Sequence, residues 1–268
     1  MTPPPSDLII VGGGFAACSA VHFLARHAPI GWQILLMTGS EGPNRGLGYA
    51  TNNGHLLLNA SHSNMSLSEE DPKEFSAWFT DRDLDKNYCR FVPRQLYGHY
   101  LRDAWTQSLK IAQDRGIHME VVYQNASKIE QLTDKIITIR DEAGAKHLGL
   151  RALICEGPTQ HCLDGDTSAR VISPVWPNNL SRLVHLAGHV VIIGTGLSAL
   201  DAAVTVLAKP DVKRVTMLST DGRLPLSQLP LAEPVPMLEL AQHITGSPRT
   251  VFARVRKLAA DHLWQNVM

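Results

Sequence analysis

At 268 residues the chain is long enough for one large hydrophobic core or two smaller ones. Its 44% apolar and 19% charged residues describe a globular protein, not a disordered one. Twenty-five basic residues balance twenty-five acidic ones, so the charge gives no reason to expect a nucleic-acid or acidic-membrane partner.

The chain opens on Met-Thr-Pro-Pro-Pro-Ser, which lacks the basic region of a secretory signal. The four cysteines (Cys18, Cys89, Cys155, Cys162) form no C-x-x-C pair and read as reduced thiols, so a cytoplasmic protein is expected. Leu8–Val11 is a short apolar run that ends in Gly12-Gly13-Gly14, followed by helical spacing at Ala17, Ala20, Val21 and Leu24. Strand, glycine turn and helix together form a dinucleotide-binding fingerprint, Gly12-x-Gly14-x-x-Ala17. Gly12 permits the turn, Gly14 admits a pyrophosphate close to the backbone, and Ala17 lets helix and strand pack closely. The helix N-terminus then faces the phosphates with its free N–H groups and positive dipole end. Trp32–Met37 reads as the second strand. At its end, where such folds usually place an acid for the ribose, stands Thr38, with Glu41 three residues on.

Several blocks follow: Gly46-Leu-Gly-Tyr49 after Asn44-Arg45, His55-Leu-Leu-Leu-Asn59, Met65-Ser66, and Phe91-Val-Pro-Arg-Gln-Leu-Tyr-Gly-His-Tyr-Leu101. With the glycines, they resemble bacterial FAD/NAD(P)-binding proteins allied to flavin-containing monooxygenases and amino-acid N-hydroxylases. The resemblance runs through the strand Val212–Leu218 and the turn after it. It implies an α/β, FAD/NAD(P)-binding Rossmann-like fold: two dinucleotide-binding lobes, a central parallel sheet and a small antiparallel meander. It also implies FAD on the first glycine turn, with Arg45, Asn59 and Met65 as flavin neighbours. Read without the resemblance, Arg45 is equally a solvated loop cation and Asn59 a loop-capping amide.

Pro93–Arg115 has helical spacing and ends before Gly116. Arg94 stands near its start, where a cation gains nothing from the helix dipole; this position suits a phosphate or carboxylate partner, with a plain surface role as the equal alternative. Met119–Tyr123, Ile136–Arg140 and Leu148–Cys155 read as strands, with a turn at Asp141-Glu-Ala-Gly144. Ala152-Leu-Ile-Cys-Glu-Gly157 resembles the strand-to-glycine segment at which these flavoproteins bring backbone to the nucleotide; a plain Gly-Pro turn is the alternative.

Pro174 and Trp176-Pro177 mark a crossing, giving expected lobes of 1–170 (FAD, with the meander) and 171–268 (NAD(P)-like, incomplete). His189–Ile193 and the helix from Ser198 flank a second fingerprint, Gly194-x-Gly196-x-x-Ala199. The glycines and Asp201 within this apolar window argue against a membrane span. After the strand Val212–Leu218, Thr220 and Asp221 stand where arginines would serve a 2′-phosphate, so NADH is preferred over NADPH as the NAD(P)H donor.

Twelve histidines show no zinc-ligand spacing, and no metal is expected. No side chain announces itself as a catalytic acid or base. The resulting expectation is an FAD-dependent oxidoreductase or monooxygenase taking hydride from NAD(P)H to act on a small molecule that the sequence does not identify. Its rivals are a nucleotide-binding or interaction protein without turnover, and an NAD-linked dehydrogenase without flavin. From Gly222 onward the chain reads as a Pro-rich loop and helical segments, including Val251–Trp264, and not as further strands. That shortness predicts self-association or a second polypeptide completing the fold.

Overall fold

A strand buried on both faces must lie inside a sheet with a layer on each side. Ile9 and Ile10 of β1 (Leu8–Val11) are both fully buried. In the computed structural model of this chain, β1 pairs in parallel with β2 (Gln33–Met37) on one side. On the other side it pairs, again in parallel, with a strand more than a hundred residues on, Ala152–Ile154. The structure describes residues 4–40, 42–43, 46–68, 70–84, 90–133, 135–157, 171–172, 188–225, 247, 249–250, 253 and 256–257.

After β1 come α1 (Phe15–His27), β2, the short α2 (Gly46–Tyr49), a 3-10 turn at His62–Asn64, α3 (Glu74–Thr80) and α4 (Arg94–Asp114). Then follow β3 (His118–Val122), β4 (Ala126–Thr133), β5 (Ile136–Asp141), β6 (Lys146–Gly149) and β7 (Ala152–Ile154). The main sheet has the order β3-β2-β1-β7, and β4-β5-β6 form the antiparallel meander.

The expected single strand Leu148–Cys155 is two strands in two sheets. β6 pairs with β5, β7 pairs with β1, and Leu150 and Arg151 make the crossing. There Gly149 passes so close to Ile9 that a Cβ would lie 2.8 Å from Ile9 Cγ1.

One layer of core lies between the sheet and the helices. It joins Ile10, Ile34 and Leu36 to Val21 of α1 and to Tyr97, Tyr100 and Trp105 of α4. Phe75 of α3 meets Tyr97 edge-on at 4.8 Å between ring centroids. The opposite sheet face buries Ile9, Leu35 and Met37 against Ile139 of the meander. Full burial of a side chain of this size contributes about 1.5–3 kcal/mol.

Further along the chain, β8 (Gly188–Ile193), α5 (Leu197–Leu207) and β9 (Val212–Leu218) repeat the opening design, with β8 and β9 parallel. A smaller core of Ile192, Ala199, Ala202, Ala203 and Val206 holds them together.

Compact units span Met1–Arg223 and Leu224–Met268, and both glycine turns belong to the first. In the second, Arg249, Thr250, Ala253, Arg256 and Lys257 are helical. Ser247 Oγ accepts the Thr250 N–H at 3.3 Å, as a helix-capping serine does. Most of the expected helix Val251–Trp264, the crossing at 174–177 and the boundary at residue 170 lie outside the described residues.

Candidate functional site

The turn after β1 needs glycine for two separate reasons. Gly12 has φ +125°, and a Cβ there would run into the carbonyl oxygen of Cys155. A Cβ on Gly13 would lie 2.7 Å from the carbonyl oxygen of Thr38. Gly14 then forms the N-cap of α1 without a side-chain hydrogen bond, and the first turn of the helix carries no acidic residue. Ala17 is fully buried where α1 meets the sheet. The helix therefore presents backbone donors and the positive end of its dipole, uncompensated by any side chain, to whatever lies beyond the turn.

What lies beyond is a cleft of about 500 Å³, within the roughly 300–1,000 Å³ typical of small-molecule sites. Gly12–Gly14 form one part of its lining, Thr38, Gly39, Asn125 and Ala126 another, and Cys155–Gly157 a third. Gly46–Tyr49 complete it, with Gly46 so near that a Cβ on Gly14 would meet its Cα at 3.4 Å. A larger groove of about 820 Å³ beside β3 and α4 includes Lys110, Gln113 and Glu120, but contains none of the residues singled out from the sequence.

Of those residues, Gly12, Gly14, Thr38 and Gly157 come together in the cleft. Asn59 and Arg94 meet elsewhere. Arg94 Nε donates to the carbonyl oxygen of Leu57 at 2.9 Å, and Nη2 donates to Asn59 Oδ1 and Asp201 Oδ2, each at 2.9 Å. Met65 is partly buried against the helix-side core. Arg45 lies outside the described residues.

Tyr49 and Cys155 lie within the Gly46–Tyr49 block and the Ala152–Gly157 segment read from the sequence, although neither was named as a site residue. Sequence reading passed over Gly39 and Asn125 altogether, because the topology brings them together from separate loops. Gly39 carried the one usable signal, a glycine directly after the second strand.

The tyrosine and the two cysteines nearby are held neutral. Burial raises the Tyr49 hydroxyl above its ordinary 10.0, with Arg94 opposing. Burial raises the Cys155 thiol and, with the help of Glu74, pushes Cys18 up to about 12. Neither thiol is a nucleophile at neutral pH.

The second turn repeats the first in backbone but not in surroundings. Gly194 has φ +113° and its N–H donates to the carbonyl oxygen of Leu218 at 2.7 Å. Gly196 forms the N-cap of α5, again without a side-chain cap or an early acid, and Ala199 is buried behind it. Thr195 donates to Ser219 Oγ at 2.9 Å, tying the turn to the loop after β9 that carries the exposed Asp221. Yet a Cβ on Gly196 would meet nothing within 4 Å, and Ile193 is 82% exposed. The cleft of about 500 Å³ is lined by the first turn and by no residue of the second.

Residues 9–159 match the model of a family described as FAD-NAD(P)-binding. The chain belongs to that FAD-NAD(P)-binding family. The matched segment runs from β1 past β7 and includes every residue of the cleft. Among solved structures, the fold is similar to that of the ornithine N-hydroxylase of Kutzneria sp. 744, determined with reduced FAD, NADP+ and L-ornithine (TM-score 0.68, 18% identity, 94% of this chain and 63% of that one). It is similar also to a flavin monooxygenase from Stenotrophomonas maltophilia (TM-score 0.51, 16% identity, 95% and 68%). A third is cyclohexanone monooxygenase bound to cyclohexanone (TM-score 0.53, 20% identity, 96% and 46%). The chain thus spans less than two thirds of the hydroxylase and less than half of the cyclohexanone enzyme. A comparison with curated proteins found no match. Among the described residues no helix is long and apolar enough to cross a membrane.

Proposed function

We propose that this chain is the flavin-binding part of an FAD-dependent oxidoreductase or monooxygenase, reduced by NAD(P)H and acting on a small molecule. The observation that carries the reading is the first cleft: a glycine turn, an uncapped helix N-terminus and about 500 Å³ of space in one place. Those features suit the pyrophosphate of a dinucleotide, since backbone donors face it and no acidic side chain of the first turn repels it.

When bound, the flavin supplies the redox chemistry, accepting hydride from the nicotinamide and passing electrons onward. The chain's own residues bind and orient. Gly12–Gly14 and the N-terminus of α1 hold the phosphates. Thr38 and Gly157 bound the cleft on either side, and Gly46–Tyr49 cover it. Tyr49, kept neutral by burial, is available as a donor. On this reading the first lobe (1–170) carries FAD, and the second (171–268) receives the nicotinamide nucleotide at Gly194, Gly196 and Ala199. Asp221 there favours a free ribose diol, hence NADH. Arg45, Asn59, Met65 and Arg94 remain proposed neighbours of the flavin side. The exposed Val191, Ile193 and Leu218 of β8 and β9 support self-association or a second polypeptide on that lobe.

Reconstitution with FAD, followed by anaerobic addition of NADH or NADPH, tests the proposal. The expected result is a protein-bound flavin spectrum that bleaches on addition of the nucleotide. A folded protein that takes up no flavin overturns it.

A further inference from the structure

Dinucleotide folds usually mark the adenosine ribose with an acid at the end of the second strand, and so place that ribose beside the strand's C-terminal end. Here β2 ends at Met37, and neither of the next two positions carries an acid. Thr38 is only 8% exposed, and its hydroxyl makes a long, 3.5 Å contact to the carbonyl oxygen of Gly39. Gly39 has φ +85°, and a Cβ there would lie 2.7 Å from Asn125 Oδ1. The space a side chain at 39 would need is therefore filled by Asn125, which comes from the connection between β3 and β4 and lines the same cleft.

Asn125 is held in one orientation. Its Nδ2 donates to Glu142 Oε2 at 3.0 Å, and the Glu142 N–H donates back to the carbonyl oxygen of Asn125 at 3.0 Å. A carboxylate only accepts, so the amide nitrogen must face Glu142 and the amide oxygen must face Gly39. The oxygen is an acceptor at the end of β2, which is the role an acid plays towards ribose hydroxyls.

We infer that Asn125 is a binding residue for the adenosine ribose, taking from the meander side the acceptor role usually given to the end of the second strand. The inference rests on the first cleft being the FAD site. Glu142 is a positioning residue, acting through Asn125. The chemical class recognised is a vicinal diol on an adenine nucleotide. FAD and ADP both carry it, whereas FMN does not.

The test titrates the flavin-free full chain separately with FAD, FMN and ADP, in the wild type and in Asn125→Ala, Glu142→Ala and Glu41→Gln. Loss of one hydrogen bond of this kind weakens binding by about fivefold. Asn125→Ala is expected to raise the Kd for FAD and ADP by about that factor and to leave FMN unchanged. Glu142→Ala should act in the same direction but less, and Glu41→Gln should bind like the wild type. Circular dichroism melts check that Asn125→Ala stays folded. Unchanged FAD and ADP binding in Asn125→Ala overturns the inference, and so does an equal loss for all three ligands. It falls equally if Glu41→Gln alone loses FAD and ADP. A wild-type chain that binds FMN and FAD normally keeps the flavin reading standing even then. One that binds none of the three overturns the flavin reading and this inference together.

Discussion

Arg94 at the start of α4 and Asp201 in α5 form an ion pair at 2.9 Å, joining the first glycine-turn region to the helix behind the second. Both side chains are largely buried, and Asn53 Nδ2 adds a hydrogen bond to Thr205 Oγ1 of the same helix at 3.0 Å. A cation at a helix N-terminus is unfavourable in isolation, and the carboxylate across from it provides the compensation. A double-mutant cycle of Arg94→Ala and Asp201→Ala in urea should give a coupling of about 1–3 kcal/mol. Burial raises the Asp201 pKa above the ordinary 3.8 although Arg94 pulls it down. The ionised form is therefore disfavoured by folding, and Asp201→Asn should cost less than Asp201→Ala. Strict additivity in the cycle would sink the pairing.

Gly12 and Gly14 should fail in different ways. Gly12→Ala meets both a positive φ and the Cys155 carbonyl, so it should destabilise the fold by about 1–3 kcal/mol or more. Gly14→Val places methyl groups against Gly46 and over the helix N-terminus. Flavin uptake should be lost while the melting temperature changes little. Gly196→Ala, with nothing within 4 Å of its Cβ, should leave stability unchanged. Undiminished flavin in folded Gly14→Val would remove the pyrophosphate from this turn.

These contrasts show what was legible in the sequence. Both glycine turns, β1, β2, α1 and α4 were readable because glycine spacing and apolar periodicity are local properties. β4 was not, because Ile129 and Leu132 are exposed, at 46% and 61%, and its alternation marks no buried face. The break between β6 and β7 was hidden because a strand changing sheets keeps its β-branched and apolar composition. Asn125 was hidden because its role depends on the missing side chain of Gly39, a relation between separate loops. For Arg94 the local pattern left open a phosphate or carboxylate partner and a plain surface role; the carboxylate it meets stands 107 positions away.

The nucleotide preference can be read directly. If Asp221 disfavours a 2′-phosphate, flavin in the reconstituted protein should bleach faster with NADH than with NADPH at equal concentration. Asp221→Arg should narrow or reverse that order. Stopped-flow absorbance measures both, and faster reduction by NADPH in the wild type would end the role given to Asp221.

His22 of α1 is buried, with Nε2 4.0 Å from Glu74, which itself accepts from the Tyr100 hydroxyl at 2.7 Å. Burial lowers the His22 pKa below its ordinary 6.5, with Glu74 pulling the other way and Arg26 and His27 reinforcing the fall. The unfolded chain then takes up the proton first as pH falls. Stability should be full above pH 6.5 and decline below it, by at most about 1.4 kcal/mol per pH unit for one proton. His22→Gln should lack that part of the slope in urea titrations between neutral and mildly acidic pH. Identical slopes in the two proteins would show that His22 does not titrate on unfolding.

Two residues, Leu150 and Arg151, carry the chain from the meander into β7; Ser6 holds the meander end of that crossing, and the Ile9 N–H donates to the Arg151 carbonyl oxygen at the other. The Ser6 N–H donates to the carbonyl oxygen of Leu148 at 2.9 Å, and the Ser6 carbonyl oxygen accepts the Leu150 N–H at 2.8 Å. So short a link, hydrogen-bonded along its length, ties the edge of the meander to the strand that leads into Cys155–Gly157 of the cleft.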